Sequence, residues 1–188
     1  MGNKYTTEID QASGLLRVIA TKNFGGIRAG DRGGLVRSKH NLLQAGNAWV
    51  SGDALISGDA LISGNARVSG VARVSGNARV SGNARVSGDA LVSGNARVSG
   101  NARVSGDALV SGNARVTKQL ITATRSDGYT FSLLSCADGK WRITAGCRYF
   151  TLAEARAHWT ITRGGTRLGA ESLAILDLFQ ITVDAESL

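Results

Sequence analysis

From Val50 to Val116 the chain repeats a six-residue unit, V-S-G-[N/D]-A-[R/L], without an insertion. Ile replaces Val at positions 56 and 62, and Val71 stands once in the Asn/Asp position. A period of six cannot place apolar residues on one face of an α-helix. Val and its two neighbours suit an extended segment, whereas Gly followed by Asn or Asp suits a turn, because these residues tolerate positive φ angles. Each unit is therefore predicted to form one short strand and one bend.

Three units close a triangular coil of eighteen residues, and the identical blocks 75–92 and 93–110 each have this length. Coils stacked at the ordinary strand spacing of about 4.8 Å hydrogen-bond through their backbones. Their interior is a column of Val or Ile with Ala at the corners, and each buried Val contributes roughly 1.5 kcal/mol or more. The predicted core positions are Val50, Ile56, Ile62, Val68, Val74, Val80, Val86, Val92, Val98, Val104, Val110 and Val116.

The two ends of such a stack need caps, because each coil buries its faces only against its neighbours. The sequence therefore predicts three regions: an N-terminal cap with the first irregular coils over 1–49, a β-helix over 50–116, and a small α+β domain over 117–188. The predicted fold class is mostly β, and all helix is expected in the C-terminal domain.

In the C-terminal domain, the segments KQLITAT, YTFSLL and KWRIT alternate like strands, and RSDG and ADGK separate them as turns. Thr151 and Glu154 are spaced as a capping box ahead of a helix in LAEARAHW, and GAESLAILDLF predicts a second short helix. We expect Cys147 to be a buried thiol without a functional role. The predicted aromatic core is Trp141, Tyr149, Phe150 and Trp159.

The repeat resembles the hexapeptide-repeat family, in which an aliphatic residue is followed four positions later by a small one, here Val68 and Ala72. The resemblance implies a left-handed parallel β-helix. The segments VIATKNFGGIRAGDRGGLV, NLLQAGNAWVSGDA and ITAGCRYFTLAEARAHW are similar to parts of YdcK-like hexapeptide proteins carried by phages and prophages. This similarity implies a phage or prophage origin and a coil that begins before Val50, near Ile27, but it brings no settled activity.

Many hexapeptide-repeat proteins are acyltransferases that use coenzyme A and a His general base, so the positions of His matter. The chain has two, His40 and His158, and neither lies in the repeats. Two His residues cannot supply the three-His metal site of the related carbonic anhydrases. We therefore expect no enzymatic activity, no cofactor and no metal, with an acyltransferase-like enzyme as the alternative and a virion structural component as a third hypothesis. The repeat carboxylates occupy turn positions and are Asp53, Asp59, Asp89 and Asp107.

The residues that precede each core Val or Ile are expected to point outward, and they recur every eighteen residues in three columns. Exposed Leu side chains in a row usually mark an interface. Leu55, Leu91 and Leu109 are therefore oligomer-interface candidates, with a trimer favoured and a folded-back C-terminal domain as the alternative cover. The Leu column is Leu55, Arg73, Leu91 and Leu109; the Leu–Arg column is Leu61, Arg79, Arg97 and Arg115; the Trp–Arg column is Trp49, Arg67, Arg85 and Arg103.

The Arg side chains form regular basic strips that make them anion-binding candidates, and a solvated charged surface is the simpler alternative. Their mutual repulsion costs under about 1 kcal/mol per neighbouring pair in water, so the core tolerates them without a ligand. Trp49 precedes Arg67 by eighteen residues, and we expect the guanidinium to stack on an exposed indole. The anion-binding candidates are Arg67, Arg85, Arg103, Arg79, Arg97, Arg115 and Trp49.

The chain carries 22 Lys and Arg against 14 Asp and Glu, and its net charge of +8 favours anionic partners such as nucleotides or nucleic acid. The N-terminal segment lacks the apolar core of a secretion signal, and no run of about 18 apolar residues occurs. We expect a protein of the host bacterium's cytoplasm, without a membrane partner, that forms a homo-oligomeric scaffold for an anionic ligand or a host protein. Counter-defence against the host is one role that fits the phage resemblance.

Overall fold

The computed structural model describes residues 2–117, 121–136, 139–146 and 148–185. The chain divides into two compact units, Met1–Gln119 and Leu120–Leu188. The first unit contains a stack of short parallel strands, and the second contains an antiparallel sheet with two α-helices. The predicted fold class, mostly β with a parallel solenoid of eighteen-residue coils and a C-terminal α+β unit, is therefore confirmed.

The first unit begins with an antiparallel arrangement of β1 (Tyr5–Ile9), β2 (Leu16–Ala20) and β3 (Arg32–Val36). After β3 the chain makes one turn of 3-10 helix, Lys39–Asn41, which is capped by Ser38. The prediction that all helix lies in the C-terminal domain is wrong by this single turn. Among the described residues, both α-helices do lie in the second unit.

From Trp49 onward each six-residue unit forms a two-residue strand followed by a turn. Strands eighteen residues apart pair in parallel, so Arg85 pairs with Arg67 on one side and with Arg103 on the other. This register confirms the eighteen-residue coil. The strands are β4 (Trp49–Val50), β5 (Leu55–Ile56), β6 (Leu61–Ile62), β7 (Arg67–Val68), β8 (Arg73–Val74), β9 (Arg79–Val80), β10 (Arg85–Val86), β11 (Leu91–Val92), β12 (Arg97–Val98), β13 (Arg103–Val104), β14 (Leu109–Val110) and β15 (Arg115–Val116).

The first coil begins at β3, where Leu35 pairs in parallel with Leu55 of β5. The expected start near Ile27 is wrong, because Ile27 forms an antiparallel bridge with Phe24 in the turn between β2 and β3. The strand order β1-β2-β3-β5-β8-β11-β14 shows that the N-terminal strands continue one face of the solenoid as a single sheet. The remaining solenoid strands form two further parallel faces, β4-β7-β10-β13 and β6-β9-β12-β15.

The core of the solenoid is the predicted column of aliphatic residues. All twelve predicted positions are buried, with at most 3% of their surface exposed, and the corner Ala residues are buried with them. The turns require Gly: Gly70 has a φ of +70°, and a Cβ there would lie 2.9 Å from the nitrogen of Gly88 in the next coil. Backbone conformation and close stacking therefore both exclude a side chain at this position.

A buried lysine closes the N-terminal end of the stack. Within the stack, a turn N–H of one coil donates to a carbonyl of the next, as Asn47 donates to Gly64 at 2.8 Å. In the first coil, the carbonyl oxygens of Gly46 and Ala48 accept hydrogen bonds from Lys4 Nζ at 3.2 and 3.0 Å. Burial lowers the pKa of Lys4 to about 8. Lys4 therefore supplies hydrogen-bond donors to carbonyl oxygens of the first coil. In later coils, the equivalent carbonyl oxygens accept from backbone N–H groups of the preceding coil.

The second unit is a four-stranded antiparallel sheet followed by two helices. Its elements are β16 (Ile121–Thr124), β17 (Thr130–Ser135), β18 (Trp141–Ala145), β19 (Arg148–Phe150), α1 (Leu152–Arg163) and α2 (Arg167–Ala185). The Thr151–Glu154 capping box precedes α1, as predicted. Helix α2 is longer than the predicted second helix, because the Thr166 hydroxyl accepts a hydrogen bond from the Gly169 N–H at its start and apolar residues continue to Val183.

The core of the second unit contains one of the four predicted aromatic residues and others that we did not predict. Trp159 is buried, whereas Trp141 and Phe150 are only partly buried against the core. Tyr149 is 43% exposed, and its placement in the core was wrong, because side chains alternate along β19 and Phe150 takes the inner side. Cys147 lies outside the described residues. The fully buried core side chains include Phe131, Leu133, Ile143, Leu176 and Phe179.

Candidate anion-binding surface

The outward residues of the solenoid strands form the predicted columns, because each two-residue strand buries its second side chain and directs its first outward. Consecutive members of a column pair in register, so they are one coil apart. At the ordinary strand spacing this separation is about 4.8 Å. The aligned Arg residues are Arg67, Arg85 and Arg103 on one face, and Arg79, Arg97 and Arg115 on a second face.

A shallow groove of about 430 Å³ lies between two rungs of the Trp–Arg column. Its walls are Arg67 and Arg85, which carry guanidinium groups, and Ser69 and Ser87, which carry hydroxyl groups. Both kinds of group donate hydrogen bonds, and a guanidinium matches the spacing of phosphate and carboxylate oxygens. The groove therefore has the chemistry of an anion-binding site.

Trp49 is not an exposed member of its column. Only 2% of its surface is exposed, and its ring packs edge-on against Phe24, with 5.5 Å between the ring centroids. A Cβ on Gly33 would lie 2.8 Å from Cζ2 of the indole, so β3 also covers it closely. The expectation of an exposed indole was wrong, because the N-terminal strands and their turn cover the first rung.

Arg67 lies directly after Trp49 in the column, in the predicted register. Its guanidinium does not stack on the indole as expected; instead it donates a hydrogen bond to the carbonyl of Gly25. The turn that covers Trp49 therefore also holds Arg67, which is only half-exposed. Part of the donor capacity of Arg67 is already used inside the protein.

The next Arg residues of both columns are more available. Arg85 and Arg103 are exposed, as are Arg79 and Arg97 on the second face. Within the part of the chain that the structure describes, no carboxylate lies at salt-bridge distance from any of these four. Their charges are therefore balanced by solvent ions or by a ligand.

Apart from Asp59, which precedes Leu61 in the Leu–Arg column, the turn residues separate acidic from basic surface. Amide side chains stand at the turns before both Arg columns, and they hydrogen-bond from coil to coil at 3.1–3.2 Å. The turns before the Leu column instead carry Asp53, Val71, Asp89 and Asp107. We predicted only a turn role for these Asp residues, although the repeats already pair Asp with Leu and Asn with Arg. The amide rows are Asn47, Asn65, Asn83 and Asn101, and Asn77, Asn95 and Asn113.

The Leu column lies on the face formed by β5, β8, β11 and β14. Leu91 is 38% exposed, and Leu55 and Leu109 are partly exposed. Val71, at the adjoining turn, is 47% exposed. This face thus carries apolar side chains bordered by carboxylates and interrupted by the exposed Arg73, which makes it less basic than the other two faces.

The two His residues lie apart from the columns. His40 is on the 3-10 turn, exposed, with Nε2 4.0 Å from an oxygen of Asp59. His158 lies on α1 in the second unit, where burial and then the charge of Arg148 lower its pKa. Among the described residues, no three His, Cys, Asp or Glu side chains are grouped so that they could hold a metal ion.

The stacked coils and their outward columns define a β-solenoid repeat protein. Three overlapping segments, residues 72–88, 84–100 and 96–112, match the family model of the YdcK Beta solenoid repeat. The match lies wholly within the regular coils, so it concerns the solenoid and not the second unit. No curated protein matches the chain. Neither of the helices that the structure describes is both long and apolar enough to cross a membrane.

Proposed function

We propose that the protein is a non-enzymatic, oligomeric scaffold whose solenoid binds an extended polyanion along its Arg columns. The observation that supports this most is the register of Arg85 with Arg103 on adjacent coils, with no carboxylate at salt-bridge distance from either among the described residues. Arg79 and Arg97 repeat this arrangement on the second basic face. A phosphate or sulfate group placed between two such rungs accepts hydrogen bonds from both guanidinium groups.

A polymer suits this surface better than a single small anion. Each column presents like charges at a regular spacing of about 4.8 Å, so every charge that a ligand neutralises also relieves repulsion between neighbouring rungs. The amide rows beside the columns carry no charge and do not compete for the guanidinium groups. Three of the four repeat carboxylates lie at the turns before the Leu column, where they disfavour a polyanion on the third face; they are Asp53, Asp89 and Asp107.

Salt dependence tests this proposal. The probes are a single-stranded oligonucleotide and a sulfated polysaccharide, titrated at several salt concentrations against the wild type and the variant Arg85→Gln/Arg103→Gln. Each lost phosphate contact should reduce the slope of log K against log salt by about 0.7, so the double variant should lose about 1.4. The matched control, Arg28→Gln/Arg37→Gln, removes two exposed charges outside the columns and should leave the slope nearly unchanged.

Absence of binding to both probes at low salt would overturn the proposal, as would equal losses in the column variant and the control. Thermal denaturation of both variants should match the wild type, because all four side chains are exposed.

The Leu column supports self-association as the oligomeric part of the proposal. Leu91 exposes apolar surface on the sheet face and Val71 does so at the adjoining turn, and such patches usually mark interfaces. We propose a homotrimer in which this face packs against another copy. Changing Leu55, Leu91 and Leu109 together to Asp should lower the mass measured by light scattering. An unchanged mass, or a monomeric wild type, contradicts this part.

The remaining elements of the proposal are the absence of enzymatic activity, a cytoplasmic location and a phage or prophage origin with a host partner. Their support is the lack of His within the repeats and the similarity of the flanking segments to phage-borne proteins. Binding of coenzyme A in a thermal-shift panel would favour an acyltransferase-like enzyme instead. Recovery of the protein from purified virions would favour a structural component, and an affinity pull-down from host cells tests the host partner.

A further inference from the structure

We propose that the second unit holds a separate binding site for a dianionic phosphate group, independent of the solenoid columns. A cavity of about 280 Å³ lies among residues of β19, α1 and the β16–β17 turn. This volume is at the lower end of the range of small-molecule sites, so the ligand is small. The lining residues are Arg125, Asp127, Tyr129, Arg148, Trp159 and Arg163.

Arg125 and Asp127 together form one wall of the cavity. The side chain of Arg125 is 4% exposed and donates to both carboxylate oxygens of Asp127, at 2.9 and 2.6 Å. It also donates to the hydroxyl of Ser172 on α2 at 3.0 Å. The hydrogen bonds from Arg125 lower the pKa of Asp127 to about 2, so the two side chains form an ionised pair that cancels in charge.

Arg148 and Arg163 leave the cavity with an uncompensated charge. Both are exposed, and neither has a carboxylate at salt-bridge distance within the described part of the chain. Since Arg125 and Asp127 cancel, these two guanidinium groups give the lining a net charge of about +2. A phosphate monoester near neutral pH carries about −1.5 to −2, which matches this charge better than a carboxylate does.

The aromatic residues orient the guanidinium groups. Arg148 lies over the ring of Trp159 at 5.9 Å, and Arg125 lies over the ring of Tyr129 at 5.0 Å. The two rings meet edge-on, with 6.0 Å between centroids. Arg125 is buried and already donates to Asp127 and Ser172. The N–H groups of Arg148 and Arg163 are therefore the ones left to bind a ligand, and guanidinium edges chelate phosphate oxygens.

Calorimetry on the full chain tests the site with inorganic phosphate, adenosine 5′-monophosphate and acetate as probes. Wild type should bind phosphate with at least about tenfold higher affinity than acetate. Arg148→Gln/Arg163→Gln should weaken phosphate binding at least about tenfold. The matched control, Arg79→Gln/Arg97→Gln, removes two exposed solenoid charges and should leave it within about twofold.

The two phosphate probes distinguish the sources of the group. Tighter binding of the monophosphate than of inorganic phosphate identifies a phosphomonoester, equal binding identifies free phosphate, and both results support the site. No phosphate binding by wild type at millimolar concentration overturns it, as does an equal loss in the two double variants. Circular dichroism must show that both double variants are folded. If Arg148→Gln/Arg163→Gln does not fold, the single variant Arg163→Gln replaces it in the titration. Because the control variant should weaken polyanion binding but not phosphate binding, this site and the solenoid proposal can fail separately.

Discussion

The solenoid and the second unit bury apolar side chains in contrasting ways. In the solenoid, Val86 has Val68 and Val104 as its register partners, each eighteen residues away, and every rung repeats this relation. In the second unit, Trp159 contacts Tyr129, Phe131 and Phe150, which come from different elements at unrelated spacings. In the solenoid, the spacing of residues in the sequence therefore determines which side chains are neighbours in space. In the second unit, the neighbours depend on the tertiary fold of that unit.

Deleting chain segments should reveal this contrast most strongly. Removal of residues 75–92 joins Val74 to Ser93 in the original register, so the protein should stay folded and be one coil shorter. Removal of 75–83 shifts the repeat by half its period and should unfold the solenoid. Deleting β18 (Trp141–Ala145) from the second unit should unfold that unit. Circular dichroism and thermal denaturation measure all three, and equal behaviour of the first two deletions would contradict the coil.

Truncation of single core side chains should separate the two units next. Phe179→Ala should reduce the free energy of unfolding of the second unit by about 3–5 kcal/mol, because a fully buried ring is lost. Val86→Ala should cost only about 1.5 kcal/mol or somewhat more. Ile161→Ala, at a position 83% exposed, is the control and should change little. Hydrogen exchange should show each loss of protection confined to its own unit; a loss spread over both would refute their independence.

Glycine substitutions should resolve what the stacked turns require. Gly106→Ala should cost about 1–2 kcal/mol, because its φ of +62° is unfavourable to a side chain, although no atom lies within 4 Å of the new Cβ. Gly70→Ala has a similar φ and meets Gly88 at 2.9 Å, so overpacking should add about 1–3 kcal/mol. Urea denaturation measures both. Equal losses of stability in Gly106→Ala and Gly70→Ala would contradict the overpacking, because they would show that the spacing between coils adjusts to the added methyl group.

A pH-dependent effect on stability is expected at the lysine that caps the N-terminal end of the solenoid. Lys4→Met should lower the stability of the first unit by about 1–3 kcal/mol at neutral pH, since turn carbonyls lose their donor. Folding lowers the pKa of Lys4 from 10.5 to about 8, so between these pH values the unfolded chain holds more protons. The stability advantage of wild type over the variant should therefore rise from pH 8 toward pH 10. A constant difference in denaturation curves across this range would refute the shift.

The regular coils could be predicted from the sequence residue by residue, because a strict period fixes both the inward Val positions and the outward Arg positions. Trp49 shows where that logic stops. Its position in the repeat indicated an exposed residue, but Phe24 and β3 cover it, and neither belongs to the repeat. Arg67 likewise donates a hydrogen bond to Gly25, which also lies outside the repeat. Contacts between the repeats and non-repetitive segments could not be predicted, because they do not recur at a fixed spacing in the sequence.

In the second unit, local signals were reliable and tertiary ones were not. The Thr151–Glu154 capping box is a short-range pattern, and it forms as predicted. The burial of Phe131 and the exposure of Tyr149 depend on which side of the sheet the helices cover, and that choice is made by residues far apart in sequence. The Arg125 cavity has the same origin, since its walls come from positions 125 to 163.

The identical blocks 75–92 and 93–110 give the solenoid an adjustable reach. Each block carries two Arg residues from the two basic faces and one Asp, so one more copy adds a single unit of net charge and a single rung. Such an addition leaves the capped N-terminal end and the second unit unchanged, because coils contact only their neighbours. Copy number would then set the valency of the protein toward a repeating ligand, and avidity would grow with each duplication while the chemistry of every individual contact stayed the same.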